Sequence, residues 1–481
     1  MRSTISSLLI QPMLPLFLLI SASLPVLKAA DQPNLVLIIA DDCTHRDIGC
    51  YGGQAITPNI DRLAAQGMRF TRCFQAAPMC SPTRHSLYTG QYPVKTGAYP
   101  NHTFVDDGIV SLPVDLKPLG YRVALSGKTH IGPRPAFPFE YSGKGNNPDP
   151  DAVRQLISES VDAKKPFCLI ACSNEPHSPW NKGDASQYDA DKLQLPPYFV
   201  DTPETRSNLV NYFAEITYFD SQVGQIMGLL DEYSVADNTL VVVLSEQGSG
   251  FPFAKWTCYD SGLQSACIVR WPGKIQPGSV TDAMMEYVDI LPTFVEAAGG
   301  KVRPEVDGKS LQQVLLGKTN THKQYVFGEM TTRGIINGSD YFGIRSVRSE
   351  RYKYIVNFTP DIKFTNAATA SDIFKSWARL ADGGHADAAD KVRRYHYRPA
   401  VELYDIVADP YEWTNLAGNP EHAAAERELA EQLERWMQHC GDKGQQTELE
   451  ALEHQGKADS APKKKKNAGK GNAGKKKAMR E

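Results

Sequence analysis

Short runs of consecutive apolar residues alternate with helical patterns through the first two thirds of the chain. Runs of this kind, rich in Val, Ile and Leu, are typical of strands that are buried on both faces of a sheet. Four such runs are Asn34–Ala40, Tyr121–Ser126, Phe167–Cys172 and Thr239–Leu244. Because strands that alternate with helices form parallel sheets, the pattern predicts an α/β fold, with a large, mostly parallel sheet sandwiched by helices.

Two helices have clear starting signals. Thr57-Pro58 begins the first, with Thr as N-cap and Pro at the first helical position, and Gly67 ends it. Thr202-Pro203 begins a longer helix, whose apolar residues recur every three or four positions along one face. That face consists of Leu209, Phe213, Ile216, Phe219, Val223, Ile226 and Leu230. We expect this face to pack against the sheet.

The pattern changes after about residue 325. Tyr341–Val347 and Tyr352–Phe358 are typical of antiparallel strands joined by a turn, and a final helix is predicted at Ala423–His439. We therefore expect two domains. The large α/β domain, over residues 31–325, would carry the chemistry, and residues 326–445 would form a smaller C-terminal α+β domain with an antiparallel sheet and a terminal helix.

The N-terminus resembles an export signal. Arg2 precedes an apolar run over residues 8–20 that two prolines interrupt, and the small residues Ala29-Ala30 offer a cleavage point. We predict a signal peptide over residues 1–30, a secreted or periplasmic location, and no stable membrane anchor, because the interrupted run is too short to span a bilayer. An uncleaved anchor is the alternative interpretation.

The charge of the chain is distributed unevenly. The net charge is −3, yet residues 457–481 contain ten basic and two acidic residues, so the rest of the chain is clearly acidic. An acidic body argues against a nucleic-acid partner, which would need a basic surface. We predict a disordered Lys-rich tail over residues 446–481, because such a composition buries little apolar surface. A solvated appendage is the first interpretation of this tail, and adhesion to an anionic polysaccharide is the alternative.

The nine cysteines do not form a metal-finger pattern. No pair has the CxxC spacing of a zinc finger. Export would permit disulfides, but the sequence does not determine which cysteines pair.

Reactive residues follow each of the four apolar runs. In open parallel sheets, ligands bind beyond the carboxyl ends of the strands, so these residues are expected to lie together. In chain order they are Asp41 and Asp42, then Lys128 and His130, then His177, and finally Glu246 and Gln247 with Lys255 shortly after.

A motif around one cysteine indicates a protein family that the chain resembles. Cys80-Ser81-Pro82-Thr83-Arg84, followed by Leu87-Tyr88-Thr89-Gly90, resembles the signature of the type I sulfatases, in the alkaline phosphatase superfamily. The resemblance extends from Pro33 to about Leu416. Within the family, residues 127–133 and the phrase Pro196–Val200 are similar to the N-sulfoglucosamine sulfohydrolase (heparan N-sulfatase) branch.

The resemblance implies a modified nucleophile and a metal. Cys80 would be oxidised to formylglycine by a formylglycine-generating enzyme. The hydrated aldehyde would offer one hydroxyl to attack sulfur and a second to expel sulfate. One Ca²⁺ would be held by oxygen ligands together with residue 80. Those ligands would be Asp41, Asp42, Glu246 and Gln247. The family usually has Asp, then Asn or His, at the second pair, so both side chains are one methylene longer here than Asp and Asn.

The resemblance also implies catalytic roles. Arg84 would donate to the hydrate and to the metal carboxylates. Lys128 and Lys255 would hold the oxygens of the sulfuryl group. His130 would take the proton of the second hydroxyl, and His177 would bind sulfate and protonate the leaving oxygen or nitrogen.

The implied function is that of an exported sulfatase hydrolysing sulfate esters or sulfamates of sulfated glycans. Two alternatives stay open. One is a phosphate or phosphonate monoester hydrolase of the same superfamily, because the site would also suit a phosphoryl group. The other is a silent sulfated-polysaccharide binder, which would result if Cys80 remained a thiol. The residues leave the sugar, the choice between N- and O-sulfate, and the oligomeric state open.

Overall fold

The structure is a computed structural model that describes residues 32–143 and 145–455. The strands of these residues are β1 (Asn34–Ile39), β2 (Met68–Phe74), β3 (Arg122–Gly127), β4 (Glu140–Ser142), β5 (Phe167–Cys172), β6 (Thr239–Leu244), β7 (Gln264–Arg270), β8 (Ser279–Thr281), β9 (Met285–Glu286), β10 (Val326–Thr331), β11 (Gly343–Arg348), β12 (Tyr352–Asn357) and β13 (Val401–Asp405). The helices are α1 (Pro58–Gln66), α2 (Cys80–Thr89), α3 (Pro93–Thr96), α4 (Leu112–Leu116), α5 (Pro150–Asp162), α6 (Pro203–Glu232), α7 (Asp260–Leu263), α8 (Ile290–Ala297), α9 (Gln312–Leu315), α10 (Asp372–Asp382), α11 (Ala386–His396), α12 (Ala423–Cys440) and α13 (Gln445–Gln455).

The large sheet contains nine of the described strands, in the order β4-β3-β5-β1-β6-β7-β2-β8, with β9 also paired to β2. The neighbours β3, β5, β1 and β6 are parallel, and β7 runs antiparallel between β6 and β2. Ile39 lies opposite both Cys172 and Leu244, and Gly127 lies opposite Cys172. The four central strands therefore end at the same level, and the segments that follow them meet at one edge of the sheet.

Helices cover both faces of this sheet. Val36 and Ile38 of β1 pack with residues of α1, α5 and α6. Leu35, Leu37 and Ile39 point to the opposite face and pack with residues of α2, α4 and α8. Alternate side chains of one strand thus enter two cores, as expected for a strand buried on both faces. The predicted α/β sandwich is confirmed.

The predicted elements of the large domain match the structure closely. β5 and β6 have the predicted bounds, and every residue of the predicted apolar face of α6 is buried. Thr57 precedes α1 as predicted, but its hydroxyl does not cap the helix. The hydroxyl instead accepts from the Gly49 amide at 2.9 Å and donates to Asp61 at 3.0 Å. A tertiary contact has replaced the local cap.

The small sheet is antiparallel, in the order β10-β11-β12-β13. Val347 and Leu403 on one face pack with Leu433 and Trp436 of α12. On the other face, Ile344 lies in the same core as residues of β1, α6, α10 and α11. The predicted antiparallel pair is confirmed as β11 and β12, and the sheet has one further strand on each side of that pair.

The predicted start of the disordered tail at residue 446 is wrong. Helix α13 occupies Gln445–Gln455, and its residues Ala451 and Glu448 are fully buried. A helix with few apolar residues is ordered here because a buried arginine pairs with one of its carboxylates. The remainder of the predicted tail, 456–481, and the predicted signal peptide lie outside the described residues. None of the described helices combines the length and hydropathy needed to cross a membrane.

Helix α13 also binds a segment that is distant in sequence. The Tyr99 hydroxyl donates to the Thr447 carbonyl at 2.8 Å, and the Thr103 hydroxyl donates to the His454 carbonyl at 2.6 Å. The two contacts lie on either side of residues 101 and 102. The last described helix of the chain therefore fixes the 99–103 segment in place.

Arg345 joins α13 to the small sheet. Its side chain is 1% exposed, and it donates to Asp442 at 2.5 Å and to Glu448 at 2.9 Å. Arg345→Met would leave two buried carboxylates without a cation, so we expect the free energy of unfolding to fall by about 3–5 kcal/mol. Urea denaturation measures this change. Arg435→Met is the matched control, because Arg435 is exposed and its ion pair with Glu431 is worth at most about 1 kcal/mol. Equal losses in the two variants would contradict the role of Arg345.

Candidate active site

The residues that follow the central strands meet at the N-terminus of α2. Cys80 is the first residue of that helix and is 3% exposed. It lies in a cleft of about 990 Å³. Five more of the predicted site residues line this cleft, namely Asp42, Lys128, His130, His177 and Lys255. Asp41, Arg84, Glu246 and Gln247 are fully buried behind this lining. The structure thus brings all the predicted site residues together.

Each aspartate after β1 pairs with one lysine. Asp41 Oδ2 forms an ion pair with Lys128 Nζ. Asp42 has a φ of 60°, which is unusual for a residue other than Gly. Its carboxylate lies 2.6 Å from Lys255 Nζ and accepts from Gln247 Nε2 at 2.7 Å. Two ammonium groups are therefore held beside Cys80 by carboxylates.

Arg84 connects three strand ends. Its Nη2 donates to Glu246 Oε2 at 2.9 Å, and its Nη1 donates to the Lys128 carbonyl at 3.2 Å. Nη2 also lies 4.0 Å from Asp41 Oδ2. Because Arg84 is one helical turn beyond Cys80, these contacts fix the start of α2 against the sheet.

Asp41 and Glu246 have opposite pKa shifts. Burial would raise the pKa of Asp41, but Lys128, His177 and Arg84 lower it well below its usual value. Burial raises the pKa of Glu246 well above its usual value, and the contact with Asp41 raises it further, against the effect of Arg84. Two carboxyl groups in contact in a buried site repel each other when both are ionised, and a bound cation would relieve that repulsion.

The acidic residues fit a hard divalent cation by their chemistry. Asp41 Oδ1 and Gln247 Oε1 are buried and have no hydrogen-bond partner. Carboxylate and amide oxygens are the ligands that Ca²⁺ prefers. In the described part of the chain, no three Asp, Glu, His or Cys side chains stand together as a ready-made metal cluster. Here the carboxylates pair with Lys128, Lys255 and Arg84. A cation at this position would therefore be coordinated by carboxylate oxygens together with an amide oxygen.

The two predicted catalytic histidines differ in environment. His130 has a φ of 50°, and its Nδ1 is buried without a partner. Burial, reinforced by Lys128, lowers its pKa well below the usual value, so the ring is neutral at pH 7 and able to accept a proton. His177 Nδ1 donates to the Ser178 carbonyl at 2.6 Å. The other ring nitrogen, Nε2, lies 3.6 Å from Asp42 Oδ2.

Cys80 is a poor nucleophile as a thiol. Burial raises its pKa to about 11, although Lys255 and Lys128 act in the opposite direction. The thiolate is the reactive form of cysteine, and it is scarce at neutral pH when the pKa is this high. All nine cysteines are free thiols in the structure.

Several cleft residues were not predicted with a role. They are Asn146, Asn174, Asn208, Asn211, Ile335 and Asp372. They come from separate loops and helices, so no motif joins them, although Asn174 could have been found because it lies two residues after the end of β5. Asn101, His102, Trp180 and Trp256 also line the cleft. The His102 ring lies 4.7 Å from that of His130, and Lys255 Nζ lies 4.6 Å from the Trp256 ring.

Lys255 offers a direct test of the predicted charge at this site. Burial would lower its pKa, but Asp42 raises it, so the side chain is cationic. We expect Lys255→Met to reduce kcat/KM for a sulfate ester by about 100- to 1000-fold, because a positive charge facing the transferring group is lost. Steady-state kinetics measures this. Lys192→Met, at an exposed position, should retain full activity. An active Lys255→Met enzyme would exclude the proposed contact.

Two family models match the chain. The first, described as Sulfatase, covers residues 33–300. The second, described as N-sulphoglucosamine sulphohydrolase, C-terminal, covers residues 248–368. The chain belongs to the sulfatase family and is a hydrolase of sulfuric esters or sulfamates. The predicted family and its N-sulfoglucosamine sulfohydrolase-like branch are confirmed.

Relatives agree with this assignment, and solved structures share the fold. The chain is 33% identical to an ulvan-active sulfatase of Formosa agariphila, over 86% of this chain and 81% of the relative. It is 26% identical to human N-sulphoglucosamine sulphohydrolase, over 84% and 89% of the two chains. A solved structure described as a complex with its substrate D-glucosamine-2-N,6-O-disulfate superposes with a TM-score of 0.63 at 19% identity, covering 86% of this chain and 99% of that one. Another, from work on glycosaminoglycan metabolism by Bacteroides thetaiotaomicron, has a TM-score of 0.67 at 19% identity and covers 88% and 99%.

Proposed function

We propose that this protein is an exported sulfatase that desulfates glycans, using a formylglycine made from Cys80 and one bound Ca²⁺. The observation that carries the proposal is the position of Cys80. It is the first residue of a helix that begins where four strand ends meet, between two lysines and two histidines. A tetrahedral anion entering the cleft would meet cations on both sides of residue 80.

The state of Cys80 supports its modification. A thiol whose pKa is about 11 supplies little nucleophile at neutral pH. Oxidation of this residue by a formylglycine-generating enzyme would supply an aldehyde, whose hydrate has the two hydroxyl groups that a transfer and release of sulfate require.

The surrounding residues have distinct tasks. Lys128 and Lys255 hold the oxygens of the sulfuryl group, where negative charge must be stabilised. His130, neutral at pH 7, accepts a proton at residue 80. His177 Nε2 is placed to give a proton to the leaving oxygen or nitrogen, because its Nδ1 is committed to a carbonyl. Arg84 positions the helix that carries residue 80.

Asp41, Asp42, Glu246 and Gln247 would hold the cation together with residue 80. Bound Ca²⁺ would supply a positive charge that polarises a sulfate oxygen. Such a cation would also relieve the repulsion between the buried carboxyl groups of Asp41 and Glu246 when both are ionised.

The substrate is proposed to be a sulfated glycan. A cleft of about 990 Å³ with two tryptophans in its lining is large enough for a saccharide, and aromatic rings pack well on sugar faces. The relatives are named for ulvan and for N-sulphoglucosamine. The second family model, over residues 248–368, favours glucosamine N-sulfate among the candidates.

One preparation decides between the proposal and its alternatives. Mass spectrometry of the peptide that spans residues 73–84 should show a loss of about 18 Da at Cys80, from thiol to aldehyde. Aryl sulfate should be hydrolysed far faster than aryl phosphate. An intact thiol would favour a silent polysaccharide binder, and faster phosphate hydrolysis would favour the phosphatase. Desulfation of N- and O-sulfated glucosamine disaccharides then identifies the bond, and fractionation of the producing cells tests export.

A further inference from the structure

A second cavity, of about 370 Å³, is lined by residues from two parts of the chain, 198–261 and 393–415. The buried side chains of Phe253, Tyr259 and Tyr404 form its floor. Tyr397 and Tyr411, which are 52% and 39% exposed, lie at its mouth. The cavity is therefore open to solvent. Its lining shares no residue with that of the catalytic cleft.

Arg398 lines this cavity without a partner. Its side chain is 3% exposed, yet none of its three guanidinium nitrogens has a hydrogen-bond partner. Its guanidinium lies over aromatic rings, 4.5 Å from the centre of Phe364 and 4.9 Å from that of Tyr259, and its charged neighbour Glu402 makes no hydrogen bond to it. A buried charge that lacks a partner is costly, so a missing partner at this position calls for an explanation.

The other buried arginines of the described residues all have carboxylate partners. Arg84 pairs with Glu246, Arg345 with Asp442, and Arg348 with Asp260. Within this part of the chain, Arg398 is the exception. Since proteins pair buried charges almost without exception, the partner of Arg398 is expected to come from outside the chain.

The carboxylates of the cavity are committed elsewhere. Glu402 accepts from the hydroxyls of Tyr259, at 2.8 Å, and Tyr404, at 2.6 Å, and from Asn357 at 2.7 Å. Glu412 accepts from the Asp260 amide at 2.6 Å with one oxygen. Its other oxygen is buried and lies 3.4 Å from Lys353 Nζ, with which it forms an ion pair.

The lining defines the chemistry of the ligand. A guanidinium group binds sulfate or carboxylate through two parallel hydrogen bonds. Aromatic walls, such as Trp413 at the rim, stack on the apolar face of a sugar ring. The volume lies in the range of sites for small ligands. We propose that this cavity is an accessory binding site for an acidic saccharide, whose sulfate or carboxylate group pairs with Arg398.

The test is a local measurement of binding on the full chain. Cys80→Ala is used as the background so that no probe is turned over. Glucose 6-sulfate and glucuronic acid, at millimolar concentration, are expected to slow hydrogen–deuterium exchange in peptides over residues 393–415. Neutral glucose and sodium sulfate are expected to have at least about tenfold weaker effects. This readout does not depend on catalysis, so it stands apart from the proposed function.

Two variants assign the effect to Arg398. Arg398→Met, added to the same background, should weaken the protection by at least about tenfold. Arg393→Met is the matched control, because Arg393 is at the rim and already paired with Asp390 at 2.7 Å. With Cys80 intact, Arg398→Met should hydrolyse a small aryl sulfate within about twofold of the wild-type rate.

Three results would overturn the proposal. The first is a lack of protection by either acidic sugar, which needs no variant and so does not depend on how Arg398→Met folds. The second is equal protection by sodium sulfate, which would assign the cavity to the free anion. The third is protection that persists in a folded Arg398→Met protein.

Discussion

Cys80→Ala is expected to abolish turnover of every sulfate ester, by at least about 10⁴-fold, while the fold survives. Alanine has no group that can attack sulfur, so the loss should not depend on the substrate. The replacement removes one sulfur atom at the start of α2, where alanine is well tolerated, so the free energy of unfolding should change by no more than about 1–2 kcal/mol. Kinetics with aryl sulfate and urea denaturation measure the two effects.

Cys440→Ala is the matched control for this variant. Cys440 is also a nearly buried helical cysteine, at the end of α12 and outside the cleft. It should retain full activity. Cys80→Ser adds a further test, because one hydroxyl can accept a sulfuryl group but has no second oxygen with which to expel it. Substantial steady-state turnover by Cys80→Ala would show that another residue is the nucleophile.

Removal of divalent cations is expected to lower activity by at least about 100-fold, and added Ca²⁺ should restore it. Calcium should also raise the melting temperature, because a ligand that binds only the folded protein stabilises it. The second effect can be measured by calorimetry without any substrate. It therefore tests the cation site even if the enzyme is not fully mature.

Gln247→Ala tests whether the predicted ligands bind the cation. Gln247 Oε1 is buried without a partner, so the variant should lose much of the calcium-dependent rise in melting temperature. Gln446→Ala, on the exposed surface of α13, should keep the full rise. An unchanged rise in Gln247→Ala would exclude this residue as a ligand, and an active enzyme in strong chelator would exclude the metal.

The large sheet could be predicted from sequence because its central strands have simple patterns. β5 and β6 are short, fully buried runs of mostly apolar residues, and neighbouring parallel strands end at one level. Asp41 follows β1 and Glu246 follows β6, and these positions alone were therefore enough to predict that the two side chains lie close together. At this edge of the sheet, the residue types that follow each strand and the strand order both indicate the same site.

Other parts of the structure depend on contacts that a sequence pattern does not contain. β10 includes Glu329 and Thr331, so it lacks a continuous apolar run. Helix α13 was missed because its order depends on Glu448, which pairs with an arginine about one hundred positions earlier. The environment of Arg398 could not be predicted for the same reason. Only the three-dimensional structure shows that its guanidinium group has no hydrogen-bond partner.

The attachment of α13 to the 99–103 segment affects how the protein folds. The contacts of Tyr99 with Thr447 and of Thr103 with His454 span 348 and 351 positions. Closing so long a loop is entropically costly and slow, so such contacts tend to form late. Asn101 and His102, which lie between them, line the catalytic cleft. One wall of the cleft is thus completed only after synthesis has passed residue 455, and a ribosome-bound chain that lacks the last helix would have an unfinished cleft.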